Sequence, residues 1–126
     1  MDNIKREPSK RTPSIDFNFT DNQFSIRGES YPEDVSAFFG APISALEQHL
    51  NKMESGNVEF HFELIYFNST SAKVMMRLFE ILEETAQKGV AVTIHWHYDA
   101  NDSNMEELGE EFAEDLEATQ FNKCPK

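Results

Sequence analysis

Two stretches of the chain alternate apolar and polar side chains with a period of two. Val58, Phe60, Phe62, Leu64 and Tyr66 share one parity of the first, with Glu59, His61 and Glu63 on the other. Val90, Val92, Ile94, Trp96 and Tyr98 form the apolar set of the second, opposite Ala91, Thr93, His95 and His97. Successive side chains of a strand point to opposite faces, so each stretch predicts a β-strand with one packed face and one more polar face. Ile15, Phe17 and Phe19 alternate in the same way, as do Phe24 and Ile26, and Thr20-Asp21-Asn22 between them predicts a hairpin turn.

Elsewhere the apolar spacing is helical. Val35, Phe38, Phe39, Leu46 and Leu50 recur on one helix face, introduced by Ser30 and Glu33, which match a capping box. Gly40 and Pro42 interrupt this run and predict a kink or two short pieces near Ala41. Ala72 to Gln87 reads as a second helix that is apolar around much of its girth, closed by Gly89, and therefore as the central packing helix. A third helix begins near Ser103, paired with Glu106 as another capping box, and carries the stripe Met105, Leu108, Phe112, Leu116.

The strand–helix–strand unit in the middle is long enough for a right-handed parallel crossover. Together the elements predict an α/β two-layer sandwich: about four strands of mixed direction with helices mainly on one face. Residues 1–12 read as a flexible N-terminal tail, 13–120 as a single domain and 121–126 as a C-terminal tail.

Charge narrows the function. The formal net charge is -12, and residues 1–13 carry a net of +2, which leaves -14 on the remainder. Such a surface repels phosphate backbones and anionic lipid, so neither nucleic-acid binding nor membrane insertion is expected. No apolar run approaches the ~20 residues needed to span a bilayer. The first residues lack an apolar core and do not read as a signal peptide. With Cys124 as the single cysteine there is no internal disulfide framework, and a cytoplasmic protein is the simplest reading.

The segment richest in candidate chemistry is Tyr66-Phe67-Asn68-Ser69-Thr70-Ser71-Ala72-Lys73-Val74-Met75-Met76, the end of a buried strand followed by three hydroxyl residues and the start of a helix. Hydroxyls there lie beside unpaired N–H groups and the positive end of the helix dipole, where an added phosphate finds donors already aimed at it. Helix capping alone would also explain the hydroxyls. No general base or metal cluster is evident nearby in sequence, so the layout suggests a hydroxyl that is acted upon.

A strand, then Asn-Ser-Thr-Ser, then an amphipathic helix resembles the phosphoacceptor loop of STAS domains, the fold of anti-sigma-factor antagonists, with Asn68 where an Asp is usual and Ala72 near the usual Gly. Four segments are, in order, similar to landmarks of the SiaC-like family of small bacterial regulatory phosphoproteins: Gly28-Glu29-Ser30-Tyr31-Pro32-Glu33, Tyr66-Phe67-Asn68-Ser69-Thr70-Ser71, Trp96-His97-Tyr98-Asp99 and Gly109-Glu110-Glu111-Phe112-Ala113-Glu114-Asp115. The likeness spans residues 8–118. It implies a STAS-like fold and a non-enzymatic partner switch. A dedicated kinase phosphorylates the hydroxyl after the Asn, a PP2C-type phosphatase removes the phosphate, and the unmodified form binds an effector such as a diguanylate cyclase. Carried over, the phosphoacceptor is Ser69, with Thr70 as the neighbouring alternative. The partner-binding surface then comprises Asn68, Ser71, Lys73, Met76 and Arg77. No cofactor and no metal are implied.

His61, His95 and His97 share a strand face with Glu59 and Glu63 and could converge as a metal site or an acid–base pair if their strands are adjacent. An exposed polar face is the simpler reading, since no short-range ligand motif appears. A small-ligand sensor in the sheet groove is a further alternative. A hydrolase with Ser69 as nucleophile and His95 or His97 as base is another, although no Gly-x-Ser-x-Gly elbow is present.

Overall fold

Along residues 2–126, which the computed structural model describes, the elements are β1 (Ile4–Arg6), β2 (Ser14–Asn18), β3 (Gln23–Ser30), α1 (Val35–Asn51), β4 (Asn57–Phe67), α2 (Ser69–Gln87), β5 (Ala91–Tyr98), α3 (Ser103–Phe112) and β6 (Gln120–Pro125). The strands form one six-stranded sheet in chain order. β1, β2 and β3 pair antiparallel, whereas β3, β4, β5 and β6 run parallel. Parallel neighbours need a crossover, and α1, α2 and α3 supply the three. Because each crossover advances the sheet in the same direction, a common right-handed sense places all three helices on one face.

That face is the core. Ile15, Phe17, Phe24, Ile26, Phe60, Phe62, Ile94 and Trp96 are buried beneath the helices, together with Met75, Leu78 and Leu82 of α2. α2 lies between α1 and α3 and touches both, which explains why its apolar positions extend around so much of its circumference. The hairpin between β2 and β3 forms as expected, with Asn22 in the left-handed region at φ 54°, a conformation that Asn tolerates better than most residues.

Six strands replace the four expected. The two outer ones fall in segments read from sequence as tails: Ile4 pairs with Phe17, and Phe121 with Ile94. β1 is only three residues long. In β6 the inward parity carries Lys123, whose Nζ reaches Glu106 and Glu110 of α3 at 3.0 Å each. A charge at an inward position removes the alternation by which a strand is recognised, and it suits an edge strand.

Helix α1 runs through Gly40 and Pro42 without the expected break. Proline has no N–H to offer the carbonyl four residues earlier. Here Arg6 donates to that Phe38 carbonyl at 2.6 Å and lies 5.3 Å from the centre of the Phe38 ring. β1 thus satisfies the acceptor that Pro42 leaves free. The helix starts differ too. Asp34, not Ser30, caps α1 through the Ala37 N–H, and Asp102, not Ser103, caps α3 through the Met105 N–H. Ser30 is instead the last, fully buried residue of β3.

Two contacts hold α3 and β6 in place. Trp96 donates its indole N–H to the Met105 carbonyl at 3.0 Å, and Gly109 lies so close to the indole that an added Cβ would come within 2.4 Å of Nε1. Glu83, buried on α2, accepts the backbone N–H groups of Glu117, Ala118 and Thr119 at 3.0–3.2 Å and the Gln87 amide at 2.9 Å. It thereby fixes the turn that delivers β6 to the sheet. Burial alone would raise the Glu83 pKa, but donors from Gln87, Ala118 and Thr119 outweigh it and hold the carboxyl down at about 2.

Gly109→Ala is expected to destabilise the fold by about 1–3 kcal/mol through overpacking against a ring that cannot retreat, measured as a lower urea midpoint. A displacement like that of Glu83, from 4.5 to about 2, corresponds to roughly 3 kcal/mol. Since the folded-state value is the lower one, this contribution is complete at neutral pH and is lost as pH falls through about 4.5 toward about 2. Urea titrations of Glu83→Gln and the parent chain should therefore differ at pH 7 and converge near the acid end.

Candidate functional site

β4 enters the site with a fault in its pairing. Gly28 of β3 faces Leu64, but Glu29 faces Tyr66, so Ile65 is an extra residue in β4. Such a bulge reverses the parity of whatever follows. Leu64 is buried, while Ile65 is 69% exposed and Tyr66 51% exposed. Tyr66 therefore leaves the core face assigned to it by alternation and meets Tyr31 edge to face at 5.9 Å. Phe67 turns inward instead and packs against the core. The run Leu64-Ile65-Tyr66-Phe67 carried a signal of this, because a one-sided sheet cannot bury four successive apolar residues.

Asn68 then caps α2. Its side-chain oxygen accepts the Ser71 N–H at 2.9 Å and the Thr70 hydroxyl at 3.0 Å, and its carbonyl takes the Ala72 N–H at 2.9 Å. The N–H groups of Ser69 and Thr70 belong to the first helical turn and have no carbonyl beneath them. The three hydroxyls thus separate into distinct environments. Ser69 and Thr70 are exposed. Ser71 is fully buried, its Oγ 2.8 Å from the buried Oγ of Ser30. Ser30 also accepts the Asn68 N–H on its carbonyl at 3.1 Å. The end of β3 therefore holds the loop from beneath, and only its outer hydroxyls face solvent.

Along α2, residues four and seven positions after Ser69 lie on the same helix face. These are Lys73, which is exposed, and Met76, at 48% exposure. Ile65, Tyr66 and Met76 are thus large apolar side chains left in solvent, Tyr66 three residues before the exposed Ser69 and Met76 seven after it. Arg77 is differently placed: half-buried, it pairs with Glu47 at 3.3 Å, Glu80 at 3.2 Å and Glu84 at 3.6 Å. Of the expected contact residues, Ser71 is inaccessible and Arg77 is engaged within the molecule. Ile65 was not among them, and neither was Tyr66.

His61, His95 and His97 gather on the other, helix-free face. His61 and His95 are opposite one another across β4 and β5, with rings stacked at 4.4 Å. His95 Nε2 lies 2.7 Å from Glu59, and His61 Nδ1 lies 2.9 Å from His97 Nε2. Burial, then the neighbouring His95, His97 and Arg27, holds His61 below the ordinary imidazole range; burial and then Arg27 do the same for His97. Glu63 is bonded to Arg27 and Lys126. Among the described residues no imidazole is hydrogen-bonded to Ser69; His95 bonds Glu59 and His97 bonds His61.

Comparison with known proteins identifies the family. Residues 6–126 match the model of the SiaC family regulatory phosphoproteins. The chain is 35% identical to an uncharacterized protein of Pseudomonas aeruginosa strain UCBPP-PA14, over 91% of this chain and 90% of that one. Apo-SiaC from Pseudomonas aeruginosa superposes with a TM-score of 0.89 at 33% identity, covering 98% of this chain and 99% of the other. A chain in the crystal structure of the diguanylate cyclase SiaD in complex with its activator SiaC, from the same organism, gives a TM-score of 0.90 at 32% identity, again over 98% and 99%. The chain belongs to the SiaC family of regulatory phosphoproteins, and its mixed α/β sheet with three helices is the SiaC fold.

The loop should divide on mutation as its burial divides. Asn68→Ala is expected to lose about 1 kcal/mol as a missing cap. Ser71→Ala leaves the buried Ser30 hydroxyl without its partner, at about 1–3 kcal/mol. Ser69→Ala should stay within about 0.5 kcal/mol of the parent, all three read from urea unfolding.

Proposed function

We propose that this SiaC-family chain is a non-enzymatic partner-switching protein controlled by phosphorylation of Ser69, with Thr70 as the neighbouring alternative. The observation that carries the reading is the exposure of one hydroxyl at a helix start. Ser69, in the first turn of α2, is exposed, and Tyr66 just before it in the chain and Met76 two helical turns after it are large apolar side chains left in solvent.

A phosphate at Ser69 adds about -1.5 to -2 charges. The protein itself tolerates them, because the helix N-terminus offers free N–H groups and a favourable dipole. A partner packed over Ser69 would have to desolvate the same charge, which is costly without a matching cation. One modification therefore leaves the fold intact and opposes the complex. Lys73, one turn along the same face and without an ion pair among the described residues, offers a polar contact at the rim. Asn68 sets the conformation in which the hydroxyl is presented.

In this reading a protein kinase and a PP2C-type phosphatase set the phosphorylation state, and the unmodified form binds an effector. SiaC of Pseudomonas aeruginosa is the activator of the diguanylate cyclase SiaD, so the effector proposed here is of that class. No described helix is long and apolar enough to cross a membrane; a cytoplasmic site of action is part of this proposal.

Phosphopeptide mapping after incubation with the cognate kinase should place the phosphate on Ser69 or Thr70; phosphate on neither removes the switch from this loop. Ser69→Asp should weaken effector binding at least about tenfold without changing the melting temperature. Ser69→Ala should bind like the parent chain and ignore the kinase. Equal binding by the parent chain and its kinase-phosphorylated form would refute the proposal.

A further inference from the structure

We propose that Glu59, His61 and His95 form a binding site for a zinc-type divalent transition-metal ion on the helix-free face of the sheet. One donor atom from each residue lies within 4.8 Å of the other two. The backbone enforces this proximity. Glu59 and His61 are two residues apart on β4 and so share a face, and β5 sets His95 directly beside His61. The rings of His61 and His95 are parallel to within 11°, and the Glu59 carboxylate already meets His95 Nε2 at 2.7 Å.

Metal–nitrogen and metal–oxygen distances of about 2.0–2.2 Å place tetrahedral donors roughly 3.3 Å apart. Small side-chain rotations bring the three donors to that spacing, with the atoms of the Glu59–His95 hydrogen bond turning onto the ion. The donor set defines the class of ion. Two imidazoles and one carboxylate suit zinc, cobalt, nickel or copper, whereas magnesium and calcium favour oxygen ligands throughout.

The surroundings supply the support such a site requires. His97 Nε2 contacts His61 Nδ1 at 2.9 Å, which orients the ring and leaves its Nε2 for the ion, as outer partners of metal-bound histidines do. His97 is therefore a positioning residue. At the opposite end of the face Glu63 is neutralised by Arg27 and Lys126, whereas Glu59 has no ion-pair partner among the described residues except His95. Glu59 is thus a carboxylate of this face held by neither an Arg nor a Lys. Three protein ligands leave a fourth position for water or for a donor from a bound partner. The site involves different residues from the phosphoacceptor loop, and it stands or falls independently of the switch.

The test uses this 126-residue chain, untagged, freed of metal by chelation and titrated with zinc by calorimetry at neutral pH. Saturable binding of one equivalent is expected, with a raised melting temperature. Glu59→Gln and His95→Asn should each weaken it at least tenfold, with His61→Gln substituting for either variant that does not fold. His49→Asn, at a histidine outside the cluster, should leave it unchanged, and magnesium should produce neither heat nor stabilisation. Absence of saturable one-to-one binding, affinity that survives in the cluster variants, or equal binding of magnesium would overturn the assignment.

Discussion

The parallel register of β4 between β3 and β5 is the constraint on which the rest of this structure depends. Phe24, Phe60 and Ile94 lie side by side on one face, with Ser25, His61 and His95 on the other. A slip of one residue would exchange the two faces entirely. It would place Phe60 and Phe62 in solvent and force Glu59, His61 and Glu63 beneath α2, which the desolvation of charged groups forbids. The hydrophobic core, the histidine face and the direction in which β4 reaches α2 are therefore set together.

The same constraint is relaxed at one place. The extra residue Ile65 ends strict alternation just before the helix begins, so the chain arrives at Asn68 with Tyr66 outside and Phe67 inside. Apolar surface is then exposed where it contributes nothing to the core, and it borders a helix N-terminus whose amide groups are only partly satisfied. Both features are disfavoured in an isolated globule and useful in a binding surface. The buried Ser30–Ser71 contact and the Asn68 cap hold the backbone beneath this surface, which lets the outer hydroxyls change chemically without the first turn unravelling.

The periphery is secured by polar pairing as well as by the apolar contacts of Ile4 and Phe121. Arg6 satisfies the carbonyl freed by Pro42, Lys123 bridges Glu106 and Glu110, and Glu83 gathers three backbone N–H groups from the turn before β6. These contacts attach the edge strands to α1, α3 and α2. They engage Arg6 and Lys123 in contacts within the molecule, in a chain whose formal net charge is -12.

Local spacing was enough to identify the central strands, the packing role of α2 and the hydroxyl cluster at its start, because period-two and helical patterns follow directly from the geometry of burying one side of an element. The chemistry of the candidate loop was likewise present in its letters: an Asn followed by three hydroxyls has few other places to be than a helix start. What the letters could not reveal are features that depend on residues distant in the chain. β1 and β6 exist because neighbours are available to pair with them, and Pro42 is tolerated because Arg6 arrives from elsewhere. Ser71 is lost to solvent because Ser30 lies behind it, and Tyr66 is gained because β3 offers one residue fewer than β4. Hydrogen-bond satisfaction and strand register are properties of pairs, and a pair separated by tens of residues leaves no periodic trace in either partner alone.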